Sequence, residues 1–181
     1  MAFNRPGRGR VLIDGKDLAS VQLGDYREQT ASVLQENFLF DGTIAENIAY
    51  ARPSASMDQI RQACQIAHCE EFILQFPKDY STIVGERGIK LSGGQRQRVS
   101  IARAIVHKPL LVLADEPTGE LDSANARSIF GLFKEMVLDQ GISVISATHD
   151  STLLSMANKV QEIRNGLLQD GRNEAPRRFQ Q

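Results

Sequence analysis

LSGGQRQRVSIARA, residues 91–104, and LLVLADE, residues 110–116, decide the fold. In the first, a serine and two glycines open a run that carries Val99, Ala102, Ile105 and Val106 on one side at helical spacing, over residues 95–106. Ser92 suits an N-cap and keeps a hydroxyl to donate. Gly93 and Gly94 let backbone N–H groups approach a ligand closely. The helix N-terminus adds partial positive charge. Together these make an anion site suited to phosphate. The second stretch is a short continuous apolar run after Pro109, closed by Asp115 and Glu116. It predicts a strand buried on both faces, as in a parallel sheet. Its two carboxylates would then project from the C-terminal edge, where open α/β sheets bind ligands. A serine-capped helix, or an acidic pair in solvent, is the ordinary reading of either motif alone; the two in this order are far more specific.

Downstream, residues 123–140 form an amphipathic helix stopped by Gly141, and residues 142–148 a second buried strand. A short helix over 152–157 follows, then strands over 159–163 and 167–170 around Asn165-Gly166, a strong hairpin turn. Strand, helix, strand at this spacing implies a right-handed parallel α/β core. Upstream, residues 10–14 read as a strand closed by Gly15 and Lys16. Residues 30–34 read as another, leading into the polar loop Gln35, Glu36, Asn37. From Thr43 to His107 the pattern is helical. Residues 45–49 are ended by Pro53, and residues 56–72 are capped by Ser56, with Ile60, Ala63, Ile66 and Ala67 at helical spacing. This block reads as a subdomain inserted into the α/β core.

The 181 residues suit one domain with its own core, and a net charge of -1 points away from nucleic acid and from anionic membrane surfaces. No apolar run approaches the ~20 residues that cross a bilayer, and the N-terminus has no secretion-signal core. These features predict a cytosolic chain, or one on the cytosolic face of something larger. Cys64 and Cys69 are the only cysteines; read within one continuous helix they share no face, so two buried or idle thiols are expected. His68 stands beside Cys69, but no further ligands complete a zinc set.

LSGGQRQRVSIARA resembles the signature motif of the ABC ATPase family, and LLVLADE resembles its Walker B strand. The resemblance implies an α/β, P-loop NTPase-type parallel sheet with an inserted helical subdomain. It assigns Ser92, Gly93, Gly94 and Gln95 to ATP binding, and Asp115 to Mg²⁺ through its water shell. Glu116 becomes the general base that polarises the attacking water. In ATHD, residues 147–150, His149 is similar to the switch histidine that contacts the γ-phosphate. In VLQENFLF, residues 33–40, Gln35 looks like the Q-loop glutamine, which senses Mg²⁺ and the attacking water and couples to the membrane part. GELD, residues 119–122, is similar to the D-loop, although Glu120 departs from the usual small residue. The division implied is a remnant β-subdomain with the Q-loop over 1–42, a helical subdomain over 43–108, an α/β core over 109–170, and a flexible tail over 171–181.

The pattern G-x-x-x-x-G-K-[ST] of a P-loop does not occur: Gly15-Lys16 is followed by Asp17, and no lysine precedes Ser or Thr. The family places that loop, and the aromatic residue that stacks on adenine, ahead of the segment resembling GRVLIDGKDL, residues 9–18. The resemblance therefore covers about residues 9–170. The P-loop unit is expected to be missing, and the isolated chain is expected to hold MgATP poorly and to be inactive. TIAENIAYARP, residues 43–53, and VGERGIK, residues 84–90, resemble lipid and multidrug exporters, with Glu86 in a segment that touches the membrane domain. LADEPTGELD, residues 113–122, is more similar to lipoprotein-release and macrolide-efflux ATPases. Implied partners are a second nucleotide-binding domain, identical or not, and a transmembrane permease, with no nucleic acid. The implied location is cytoplasmic, peripheral on the inner (plasma) membrane through the permease. Two functions follow from the same residues: an ATP-hydrolysing transport subunit, or a non-hydrolytic partner that lends LSGGQ to a complete ATPase. A DNA-repair head of the same superfamily would carry long coiled coils, and no sustained heptads appear.

Overall fold

A computed structural model of the chain describes residues 6–86, 89–150 and 154–169. The chain forms two compact units, Met1–Ala147 and Thr148–Gln181.

The first unit is built on a parallel sheet of three strands in the order β3 (Thr30–Val33), β6 (Leu111–Asp115), β7 (Ser143–Ala147). Val33 pairs with Ala114 and Asp115 with Ala147, so all three strands end at one edge. One face carries Ala31, Val33, Val112 and Ala114, all buried in the main core with Ile129, Leu132, Phe133 and Met136 of α6 (Ser123–Gln140). Fully burying each large aliphatic or aromatic side chain of this set contributes ~1.5–3 kcal/mol. Gly141 stops α6 in the left-handed region at φ +67°, with its N–H on the Met136 carbonyl.

The other face corrects the expectation of strands buried on both sides. Along β7 exposure alternates, and Ile145 is 60% exposed. Leu34 is 58% exposed, and Leu113 is only half-buried. Ser32, Leu34, Leu113, Asp115, Ile145 and Ala147 line an open apolar groove on this side. Among the described residues no helix packs over it, so the unbroken hydrophobicity that reads as two-sided burial is met on one side only.

The helical block packs beside the sheet. It contains α2 (Ile44–Ala49), α3 (Met57–Ile66), α4 (Glu70–Ile73) and α5 (Gly93–Ile105). Thr43–Glu46, Ser56–Gln59 and Ser92–Gln95 each form a reciprocal capping box. The single helix expected over 56–72 is two. His68 takes φ +50°, its N–H meets the Gln65 carbonyl at 3.1 Å, and the Cys69 N–H meets the Cys64 carbonyl at 2.9 Å. This is a Schellman stop. A short antiparallel pair, β4 (Gly42–Thr43) with β5 (Ile83–Val84), closes the block. Before β3 lie a two-residue hairpin pair, β1 (Leu12–Ile13) and β2 (Lys16–Asp17), shorter than the strand expected over 10–14, and a helix, α1 (Leu23–Glu28), that sequence periodicity did not show.

In the second unit β8 (Glu162–Arg164) and β9 (Leu167–Gln169) pair around Asn165-Gly166, with φ +50° and +75°, as the turn chemistry predicts. A 3₁₀ turn covers Leu154–Met156. The start of the helix expected over 152–157 and the tail over 171–181 lie outside the described residues.

Candidate functional site

Three of the sequence-derived residues meet at the C-terminal edge of the sheet. Asp115 is the last residue of β6 and is exposed. Glu116 turns the chain sharply: its φ is +43°, and its N–H donates to the Ala147 carbonyl at 2.9 Å. A non-glycine residue in that region costs ~1–3 kcal/mol, so pairing with β7 holds the turn that aims residue 116 away from the strand. The chain then closes on itself, with the Gly119 N–H on the Glu116 carbonyl at 3.1 Å and the Leu121 N–H on the Thr118 carbonyl at 3.0 Å. Gln35 follows β3 to the same edge. It lies so near Gly119 that a Cβ there would stand 3.2 Å from Gln35 Nε2. Carboxylate and carboxamide oxygens gathered at one sheet edge are the donor set a hard divalent cation takes.

The second constellation is the start of α5. Ser92 is exposed, its hydroxyl accepts the Gln95 N–H at 3.2 Å, and Gln95 Oε1 accepts the Ser92 N–H at 3.0 Å. The Ser92 hydroxyl proton is not used by this cap, and the first-turn N–H groups of Gly93 and Gly94 have no partner within a helix. Ser92, Gly93 and Gly94 therefore offer three donors at a helix N-terminus, an arrangement that accepts phosphate oxygens.

Sequence reasoning missed what stands behind this turn. A Cβ on Gly93 would lie 3.3 Å from Leu121, and one on Gly94 would lie 3.0 Å from Asn125 Oδ1. Asn125 is itself fixed, donating to Asp122 Oδ2 at 2.6 Å while Asp122 caps α6 through the N–H groups of Ala124 and Asn125. Hydrogen bonds from Asn125 hold the Asp122 carboxyl below the usual aspartate range. The segment 119–122 thus carries Gln35 at one end and the glycines of α5 at the other. The Asp-x-x-Asn spacing was the only signal of this in the sequence.

A third feature begins just after Gln35. Phe40 stacks on Tyr50 at 4.3 Å and meets Phe38 edge-on at 5.2 Å, while Arg103 lies over Phe40 and donates to the Phe38 carbonyl at 2.9 Å. Phe38 is 59% exposed and Tyr50 is 62% exposed, an apolar patch of the kind that marks a protein interface. Gly85 packs on Asp41, which brings exposed Glu86 next to this patch. His149 follows β7 by two residues, is exposed, and belongs to the second unit, where the Asp150 N–H bonds Thr148 Oγ1 at 3.1 Å.

Residues 1–119 match the ABC transporter family. The putative multidrug export ATP-binding/permease protein YgaD of Bacillus subtilis is 41% identical over 160 residues, covering 88% of this chain and 27% of that protein. The cyclolysin secretion/processing ATP-binding protein CyaB of Bordetella pertussis is 40% identical over 159 residues, covering 88% of this chain and 22% of that one. The structure of a bacterial Atm1-family ABC exporter with ATP bound superposes with a TM-score of 0.80 at 37% identity, covering 91% of this chain and 28% of the exporter. The chain thus spans under a third of each relative. No helix among the described residues is long and apolar enough to cross a membrane. The chain belongs to the ABC transporter family, and its sequence is that of an exporter-type nucleotide-binding domain.

Proposed function

We propose that this chain serves ATP hydrolysis coupled to membrane transport, supplying the signature face of a composite ATP site and the residues that act on the attacking water. The observation that carries this is the Ser92-Gly93-Gly94 turn, with Ser92 exposed, linked through residues 119–122 to Gln35, Asp115 and Glu116 at one sheet edge. Ser92 and the N–H groups of Gly93 and Gly94 would hold the phosphates of an ATP carried mainly by a second nucleotide-binding domain, with Gln95 fixing Ser92 through the cap. Asp115 and Gln35 would hold Mg²⁺, which supplies charge neutralisation on the transferring phosphoryl group. Glu116 takes the proton of the attacking water, and His149 orients the terminal phosphate. The aromatic patch of Phe38, Phe40 and Tyr50, with Glu86 beside it, is where a permease would dock, coupling Gln35 to transport from the cytosolic face of the membrane.

The P-loop lysine and hydroxyl must come from outside these 181 residues, because the sequence has no G-x-x-x-x-G-K-[ST] pattern. The chain alone should therefore show no MgATP turnover above background. Fused behind the P-loop segment of a relative, it should hydrolyse MgATP, and Glu116→Gln should lower that turnover by ~10²-fold or more. Turnover that persists in the Glu116→Gln fusion would overturn the assignment. The same signature turn also supports a second reading, a non-hydrolytic partner that lends LSGGQ to a complete ATPase. In that case the fusion stays inactive, while the chain stimulates a partner domain and Ser92→Arg abolishes the stimulation.

A further inference from the structure

Cys64 and Cys69 are buried free thiols, as expected, but the break between α3 and α4 brings together two residues that one continuous helix would have kept on separate faces. Cys64 and Cys69 are both fully buried and both reduced. The Schellman stop at His68 folds the chain back, so that the Cys69 N–H reaches the Cys64 carbonyl at 2.9 Å. That bond alone keeps the two Cα atoms within ~7 Å, close to the ~4.4–6.8 Å span of a disulfide. Both side chains also lie in the main hydrophobic core, at the two positions that a Schellman stop brings together. In a Schellman motif the positions that touch across the stop are normally apolar; here both are sulfur.

We propose that Cys64 and Cys69 are an oxidisable pair that closes to an intrachain disulfide, a modification site at the C-terminal cap of α3. A low-molecular-weight disulfide such as oxidised glutathione is the acceptor. The Cys64–Cys69 S–S bond forms, the acceptor S–S bond breaks, and the two electrons and two protons leave on two acceptor thiols. Closure needs no added volume, which suits a fully buried pair. A bound metal would need room and further ligands, and among the described residues no group of three His, Cys, Asp or Glu side chains could hold one.

Hydrogen bonding to Cys64, then burial, hold the Cys69 thiol well above the ordinary cysteine range. Reaction is therefore slow and waits on opening of α4, a single turn whose N-cap makes no side-chain hydrogen bond. The equilibrium is set by geometry instead. The site matters to the rest of the domain because the α3 cap is tied on two sides. Arg98 of α5 donates to the Ala67 carbonyl at 3.2 Å and to Ser128 Oγ of α6 at 2.7 Å, and His68 meets Glu135 of α6 at 3.0 Å. A disulfide here would stiffen the junction of the signature helix with α3 and α6.

The test is to equilibrate the 181-residue chain in graded mixtures of reduced and oxidised glutathione, with and without concentrated urea. Equilibrium is approached from both the reduced and the pre-oxidised protein, and thiols are counted by alkylation and intact mass. The fold should raise the intrachain disulfide formation constant at least tenfold over the unfolded chain. By linkage that tenfold is about 1.4 kcal/mol of added stability in the oxidised chain. Cys64→Ser and Cys69→Ser should form no intrachain bond in either condition, and should each take one glutathione in urea, where the remaining thiol is exposed. A formation constant equal in urea and in buffer, or glutathione adducts and disulfide dimers in place of the intrachain bond, would overturn the proposal.

Discussion

At the residue scale, the glycines of LSGGQ answer to two constraints. The first belongs to the proposed function: their backbone N–H groups would have to reach a phosphate. The chain's own packing adds the second, because Asn125 Oδ1 would lie 3.0 Å from a Cβ on Gly94 and is pinned by Asp122. Gly94→Ala should therefore displace Asn125 and lower stability by ~1–3 kcal/mol, the usual cost of overpacking. Gly131 gives the contrast. It lies inside α6, and a Cβ added there would meet no atom within 4 Å, so Gly131→Ala should stabilise by ~0.5–1 kcal/mol. Urea unfolding of the two variants beside the parent checks both signs, and a Gly94→Ala protein as stable as the parent would show that Asn125 yields freely. Asp115 and Glu116 were legible because two adjacent carboxylates that close an apolar run mark the end of a buried strand, where a sheet presents its ligand edge. The φ of +43° at Glu116 was not, because it depends on the Ala147 carbonyl, which is distant in sequence but pairs across the sheet.

At the element scale, legibility follows locality. Ser56 and Ser92 were readable as caps because a capping box is completed within four residues, and both boxes are present. The end of α3 was not readable, since the residue that turns left-handed is His68 and not the glycine that usually announces a Schellman stop. Ser56→Ala should cost ~1 kcal/mol of stability by removing the hydroxyl that accepts the Gln59 N–H, measurable as a shift in the urea midpoint. The cap of α2 adds a pH dependence. Hydrogen bonds from the Thr43 N–H, then from its hydroxyl, hold Glu46 below the usual glutamate range. The folded value lies below the unfolded one, so the stabilisation is fully present above the unfolded value and is lost as pH falls through the lowered one. Nuclear magnetic resonance titration should place the Glu46 midpoint below that of a glutamate in an unstructured peptide. A Glu46→Gln protein, which keeps the cap geometry, should lose less stability across that acid window than the parent.

At the scale of the whole molecule, the open sheet face is what the sequence pattern leaves unaccounted for. Residues 110–114 and 142–148 are too apolar for solvent, and from that two-sided burial follows for a complete sheet. In the described residues only one side is covered, and β7 forms one edge of the sheet with Ile145 60% exposed. Periodicity reports how apolar a strand is but carries no information about which element supplies the cover, which is why this part was illegible. An apolar edge strand with unpaired backbone groups is a template for pairing with another chain, and the groove of Leu34, Leu113 and Ile145 beside it adds apolar area to bury. The 181-residue chain on its own should therefore self-associate through this face. Sedimentation velocity over a concentration series should show species larger than the monomer, and Ile145→Lys should shift the distribution back toward monomer, because a cation on that face opposes both strand pairing and apolar contact. Lys substitution at exposed Leu138, on the outer side of α6, should leave the distribution as it is in the parent. Association weakened equally by both substitutions would locate the contact elsewhere and show that the sheet face is tolerated bare.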